Sequence, residues 1–131
     1  MKKCLFLFII IIGMCSCTQN LTCRDFKEGN FQIPSSMRKN RIINVVRKGN
    51  SQIEIVNGEP TRYEILEWID DCSYKLIYDE TKMELNEIQK LSNLNGGIVV
   101  TKLKIDGNCL FYKATFLFEG ETQRLDGKIC K

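Results

Sequence analysis

The chain has 131 residues, 44% of them hydrophobic and only 2 proline, so it is long enough for one small folded domain and too apolar for a disordered one. It contains no histidine, which excludes imidazole-based catalysis and the usual zinc and haem ligands, and we expect no cofactor. The formal net charge of +3 includes two lysines of the leader described next, and the near-neutral remainder argues against nucleic-acid binding.

The chain begins with the parts of an export signal. Two lysines precede an apolar run over residues 5–13, and Met-Cys-Ser-Cys follows at 14–17. The run is shorter than the roughly 18 to 20 residues that span a bilayer, so a permanent helical anchor is the weaker interpretation. Ser16 is the small residue that lipoprotein signal peptidase prefers before a cysteine, so the segment resembles a bacterial lipoprotein signal that ends at a lipidated Cys17.

This signal predicts three parts: a signal peptide over residues 1–16, a lipidated tether over 17–25 and a β-domain over 26–131. We therefore expect the protein in the bacterial cell envelope, held to the membrane by its acyl chains, each buried CH₂ of which contributes about 0.8 kcal/mol. Thr18 rather than Asp follows the cysteine, which by resemblance to lipoprotein sorting in enteric bacteria favours the outer membrane.

The first half of the mature chain predicts antiparallel strands separated by turns. We expect the first strand over residues 26–33, ended by Pro34, and two more over 42–47 and 52–56 around a turn at 48–51. Asn57-Gly58 marks the next reversal.

Strands over residues 63–69 and 72–78 are predicted to meet at Asp70-Asp71. This register places Ile65 opposite Leu76 and Tyr63 opposite Tyr78. Residues 82–94 differ, because Met83, Ile88, Leu91 and Leu94 approximate helical spacing before the stop signal Asn95-Gly96-Gly97. We interpret this segment as one short helix or a connector.

The last third predicts three strands from Ile98 onward, with turns at Asp106-Gly107 and Glu119-Gly120. If Glu119 and Gly120 form a two-residue loop, Cys109 lies opposite Cys130 in a pair without cross-strand hydrogen bonds, where Cα atoms approach to about 4.5 Å. The same register faces Leu110 with Ile129, Ala114 with Leu125 and Lys113 with Asp126. A three-residue loop would shift it by one.

Four cysteines remain once the leader and Cys17 are set aside: Cys23, Cys72, Cys109 and Cys130. An even number in an exported chain predicts disulfides, with three possible pairings. The register above selects Cys109 with Cys130 and leaves Cys23 with Cys72. Altogether we predict a mostly β fold: about eight strands in one antiparallel meander, closed into a small lipocalin-like barrel or a sandwich.

Two segments carry a family resemblance: Cys-Arg-Asp-Phe-Lys-Glu-Gly-Asn-Phe at 23–31 and Trp-Ile-Asp-Asp-Cys-Ser-Tyr-Lys-Leu at 68–76. They resemble the C-x-D-F-K-x-G-x-F and W-I-x-D-C-x-Y-x-L motifs of short bacterial lipoproteins of unknown function. Some of those carry the label DNA topoisomerase IV, which a chain this short with an export signal does not support. The resemblance implies that Cys23 and Cys72 belong together.

Few residues stand out as a site. Asp70 and Asp71 are the only adjacent carboxylates, and turn chemistry explains them better than catalysis. Five basic residues lie close together in the sequence: Arg38, Lys39, Arg41, Arg47 and Lys48. We interpret them as part of a solvated strand and turn surface rather than as a patch that binds anionic lipid or polysaccharide.

We therefore expect a non-enzymatic binding or structural module with no catalytic residues, no metal and no nucleic-acid partner. One alternative is a carrier of a small apolar ligand in a cavity lined by Tyr63, Tyr74, Tyr112 and Phe116. Another is an envelope protein inhibitor or assembly partner.

Overall fold

A computed structural model describes residues 20–35 and 41–131, and in it the chain forms a closed barrel of antiparallel strands in sequence order. The predicted β meander with one short helix is confirmed, as a barrel and not a sandwich. Cys17, Arg38 and Lys39 lie outside the described residues. The strands are β1 (Gly29–Pro34), β2 (Ile42–Lys48), β3 (Ser51–Ile55), β4 (Arg62–Trp68), β5 (Tyr74–Tyr78), β6 (Ile98–Asp106), β7 (Cys109–Phe118) and β8 (Glu121–Cys130).

The chain enters the barrel through a one-turn 3₁₀ helix, Cys23–Phe26, so the first strand starts at Gly29 rather than at the predicted residue 26. Asp25 makes the turn, because its carboxylate accepts the backbone N–H of Thr22 at 2.7 Å while its own N–H donates to the Thr22 carbonyl at 3.1 Å. Phe26 is buried, with its ring centroid 5.9 Å from that of Phe31. We call the end of the barrel that it fills the closed end.

The opposite end, where β1, β3, β5 and β7 finish, is the open end, and it carries the helix α1 (Glu87–Leu94). The helix is shorter than the predicted segment because Asn86 caps it, accepting the backbone N–H of Gln89 at 2.9 Å. Asn93 fixes it to β5: its side chain accepts the N–H of Tyr78 and donates to the Tyr78 carbonyl, both at 2.9 Å.

The predicted register of β7 and β8 is confirmed at every pair named above. Glu119 and Gly120 form the two-residue loop with positive φ values of 51° and 80°. Glycine adopts such a value without strain, whereas Glu119 is a non-glycine residue in this conformation. Cys109 and Cys130 form a disulfide with Cα atoms 4.0 Å apart. The preceding turn differs by one residue: Asp106 pairs with Cys109, so the loop is Gly107-Asn108.

The predicted register of β4 and β5 is wrong by one residue. Ile65 pairs with Ile77, Leu66 with Leu76 and Glu64 with Tyr78. The connection is a five-residue loop over 69–73, in which the Asp70 carboxylate accepts the N–H groups of Cys72 at 2.7 Å and Ser73 at 2.6 Å. A one-residue slip exchanges the two faces of a strand, so Tyr63 points away from the barrel interior.

The second predicted disulfide, Cys23–Cys72, is also present, with Cα atoms 5.0 Å apart. It ties the 3₁₀ helix to the loop between β4 and β5. Because β4 and β8 end, and β5 and β7 begin, at the closed end, both disulfides lie there.

Removing either bridge should lower the free energy of unfolding, by an amount that rises with the logarithm of the length of the loop that the bridge closes. The chain-entropy estimate is about 3 kcal/mol for Cys109→Ser with Cys130→Ser and about 4 kcal/mol for Cys23→Ser with Cys72→Ser. The loops span 21 and 49 positions. Urea unfolding followed by circular dichroism measures both losses, and unchanged midpoints would contradict the structural role of the bridges.

Candidate functional site

The barrel interior is packed at the closed end and, between β4 and β7, by a second buried apolar cluster, whereas the side bordered by β1, β2 and β8 is open toward the other end. Ile129 and Leu125 lie four residues apart on β8 and therefore on the same face of the strand. Ile129 is 1% exposed, whereas Leu125 is 47% exposed. Around Ile129 the core is continuous, made of Cys23, Phe26, Phe31, Val45 and Leu110. Around Leu125 the interior gives way to a cavity.

Between these two regions lies a buried arginine. Arg47 on β2 is 3% exposed, and its guanidinium donates three hydrogen bonds to three other segments of the chain. Nη1 donates to the carbonyl of Phe26 at 2.8 Å, Nη2 to the hydroxyl of Tyr74 at 2.6 Å and Nε to Oε1 of Gln52 at 2.7 Å. The ring of Tyr74 also lies 4.8 Å from the guanidinium carbon, within cation–π range.

The Gln52 side chain connects Arg47 to two carboxylates. Its Nε2 donates to Glu54 at 3.1 Å and to Glu64 at 2.6 Å. Glu54 in turn forms an ion pair with Arg62, directly opposite on β4, at 2.8 Å. These five residues, Arg47, Gln52, Glu54, Arg62 and Glu64, form one polar network across β2, β3 and β4, which we call the interior network.

The two carboxylates of the interior network hold protons more tightly than free glutamates. The pKa of Glu64 is raised to about 8, chiefly by burial and next by the nearby charge of Glu54, while Gln52 and the arginines oppose the shift. Burial also raises the pKa of Glu54, against the opposing charges of Arg62 and Arg47. Glu64 is therefore protonated at neutral pH, which removes one buried charge that would lack a counterion.

The open-end cavity has a volume of about 340 Å³. Glu54 and Arg62 form part of its wall, so the interior network reaches the space where a small molecule would sit. Its apolar wall is made of Ile33, Pro34, Ile43 and Leu125, and Ser35, Arg41, Tyr112, Asp126 and Gly127 complete it.

Tyr112 occupies the wall of the cavity because its cross-strand partner is a glycine. A Cβ added at Gly127 would meet the Tyr112 hydroxyl at 2.6 Å, so only glycine leaves room for this ring. Within the described parts of the chain the Tyr112 hydroxyl has no hydrogen-bond partner. Burial raises its pKa, so the hydroxyl keeps its proton and remains a donor.

The predicted aromatic lining is only partly brought together. Tyr74 and Tyr112 face the interior, with Tyr74 bound to Arg47. Phe116 is half-buried on the inner face of β7 but outside the lining of the cavity. Tyr63 lies on the outer face, as the corrected register requires.

Asp70 and Asp71 have the geometry of turn chemistry. The backbone N–H bonds to Asp70 lower its carboxyl pKa. Asp71 forms ion pairs with Arg24 at 3.1 Å and Lys27 at 2.9 Å, and these contacts lower its pKa as well. The pair stabilises the closed end.

The prediction of a solvated surface is wrong for Arg47, which lies at the centre of the barrel. Lys48 is exposed as predicted, and Arg41 is half-buried, donating from Nη2 to Glu59. Sequence reasoning missed the whole interior network. The alternation of β4 places Arg62 and Glu64 on the same face as Leu66 and Trp68, but Tyr63 and Ile65 make the opposite face apolar too, so the sequence alone does not show which face lies inside.

Three larger depressions are surface grooves. One, about 700 Å³, borders the Cys23–Cys72 bridge and Leu21, another, about 570 Å³, lies between α1 and β5, and a third, about 470 Å³, follows β1 and β2. The open-end cavity differs from them because two members of the interior network, Glu54 and Arg62, form part of its wall.

Over residues 20–35 and 41–131, no helix is long and apolar enough to cross a membrane, and no group of three His, Cys, Asp or Glu side chains is placed to hold a metal ion. Comparison of the chain with protein-family models, curated proteins and solved structures found no match.

The raised pKa of Glu64 predicts how stability changes with pH. Between about pH 5 and pH 8 the unfolded chain releases this proton while the folded state retains it, so the free energy of unfolding falls as pH rises, by up to about 1.4 kcal/mol per pH unit. Glu64→Gln should remove that decline, gaining stability over the wild type at pH 8 and differing little at pH 5.

Urea unfolding from pH 5 to pH 8 measures the effect. The matched control is Glu67→Gln, an exposed glutamate on the same strand, which should leave the wild-type profile unchanged. Parallel profiles for wild type and Glu64→Gln would contradict the assignment.

Proposed function

We propose that this protein is a lipid-anchored binding module of the bacterial cell envelope, and that its open end holds a small amphipathic molecule. The observation that carries the proposal is the cavity of about 340 Å³ inside the barrel, whose wall is apolar on one side and charged on the other. Binding sites for small molecules combine a largely apolar lining with a few convergent polar groups. The charged wall favours a ligand with a polar group over a purely apolar one.

The position of the chain start supports this arrangement at a membrane. Asn20 follows Cys17 by three positions, which span at most about 10 Å. The chain then runs directly into the 3₁₀ helix at the closed end. A barrel anchored through Cys17 would therefore rest its closed end near the bilayer and turn the cavity away from it, toward the aqueous compartment.

Binding fits the interior network better than turnover does. Both oxygens of Glu54 are engaged, by Gln52 and Arg62, and Glu64 is 3% exposed and bound to the same glutamine. A general acid or base has to reach a substrate proton. Carboxylates held this way are suited to shaping a wall rather than to exchanging protons with a substrate.

A second candidate is contact with another envelope protein. The outer face of β3 and β4 presents exposed Ile55 and Ile65, next to Ile53 and Tyr63. Contiguous exposed apolar side chains are typical of interaction surfaces. This face supports the assembly-partner alternative.

Metabolic labelling with palmitate tests the anchor. The wild-type chain and the control Cys15→Ala should both carry label, whereas Cys17→Ala should carry none. Equal labelling of the Cys17→Ala chain would overturn the anchor assignment.

A titration of eight-carbon amphiphiles tests the cavity. The purified chain in lipid nanodiscs, with empty nanodiscs subtracted, is titrated calorimetrically with octanamide, octylamine and octanoate. At least one should bind at a single saturable site. Leu125→Trp fills the cavity and should weaken that binding by at least about tenfold, whereas Leu117→Trp, on the outer face of the neighbouring strand, should not.

Saturable binding that survives Leu125→Trp would place the site elsewhere. If none of the three compounds binds at a saturable site, the cavity proposal fails and the outer face of β3 and β4 becomes the better candidate.

A further inference from the structure

The wall of the open-end cavity contains more hydrogen-bond donors than residues 20–35 and 41–131 satisfy. A guanidinium carries five N–H donors. Arg62 is engaged by Glu54 through Nη2, and Arg41 is engaged by Glu59 through Nη2. Arg41 Nε is buried and has no partner among the described residues. None of the hydrogen bonds found among those residues involves the Tyr112 hydroxyl.

Each carboxylate oxygen of the same wall, by contrast, already accepts from one donor of the protein. Glu54 accepts from Gln52 with one oxygen and from Arg62 with the other. Asp126 accepts from Arg124 with both oxygens, at 2.7 and 2.8 Å. A cationic ligand would find no carboxylate oxygen free of a partner there, whereas a ligand with acceptor atoms would meet unused donors.

Unpaired donors in a partly buried site cost free energy until an acceptor reaches them. Arginine in particular pairs with carboxylates and phosphates through two parallel N–H donors. Ile33, Ile43 and Leu125 face the same space and offer contact to an aliphatic group. A single molecule that accepts hydrogen bonds from the donors and also packs against the aliphatic side chains has an acidic head and a short apolar tail.

We infer that the open-end cavity binds an amphipathic oxyanion, with its acid group among Arg41, Arg62 and Tyr112 and its tail against Ile33, Ile43 and Leu125. The inference rests on the proposed binding function and adds the chemical class of the ligand. The shared chemistry is a negatively charged oxygen acid, carboxylate or phosphate, on an aliphatic chain.

Calorimetric titration in nanodiscs compares octanoate and octyl phosphate with neutral octanamide and cationic octylamine. At least one of the two acids should bind about tenfold more tightly than octanamide or octylamine. Which acid binds more tightly distinguishes a carboxylate ligand from a phosphate ligand.

Two variants report on the donors. Tyr112→Phe removes a hydroxyl that has no partner, so it should fold normally and weaken binding of the acid about tenfold while changing octanamide affinity less than about twofold. Arg62→Gln should weaken it further. The control is Arg24→Gln, which removes an exposed arginine that is paired with Asp71 at the closed end, and it should bind the acid like the wild type.

The outcomes separate the two proposals. Equal affinity for octanoate, octyl phosphate, octanamide and octylamine at a site blocked by Leu125→Trp would overturn the acid inference and leave the binding function standing. Preference for octylamine would overturn it as well. Absence of saturable binding for all four compounds would overturn both.

Discussion

A buried guanidinium has to be matched by acceptors, and this requirement organises the barrel around Arg47. A charge held in the interior is stable only when its donors are satisfied. Phe26, Gln52 and Tyr74 supply those acceptors from the 3₁₀ helix, β3 and β5. The inner face of β3 is therefore polar, and with Glu54 and Glu64 beyond Gln52 the apolar packing around Ile129 ends there, while a second apolar cluster continues on the β5–β7 side. The cavity begins where the interior network ends.

The parts of this fold that sequence predicts well are those set by local chemistry. Glu119-Gly120 fixes a two-residue loop, the loop fixes the register of β7 and β8, and the register places Cys109 beside Cys130. Each step involves neighbouring strands joined by the shortest connection. The β4–β5 register was missed for a related reason: Asp70 binds two N–H groups with its side chain, which makes a five-residue loop where a two-residue turn was expected.

The candidate site was not predictable in this way, because alternation of polar and apolar residues along a strand does not show which of its two faces lies inside the barrel. Residues 51–55 alternate polar and apolar, and the usual assignment would place Ile53 and Ile55 inside. In the structure they face outward and Gln52 and Glu54 face inward, because Arg47 on the adjacent strand requires acceptors there. That requirement comes from contacts distant in sequence, such as the bond from Arg47 to a carbonyl 21 positions earlier. A single basic residue in a predicted strand does not indicate that its side chain is buried and needs such acceptors.

The ring of strands is joined with very unequal strength. β7 and β8 share a ladder of ten residue pairs, whereas β1 meets β8 through the single pair of Gln32 with Cys130. The cavity lies along this weak seam, with Ile33 and Pro34 on one side and Leu125 and Gly127 on the other. Separating β1 from β8 would break fewer backbone hydrogen bonds than separating any other two neighbouring strands, so the barrel wall is weakest beside the cavity.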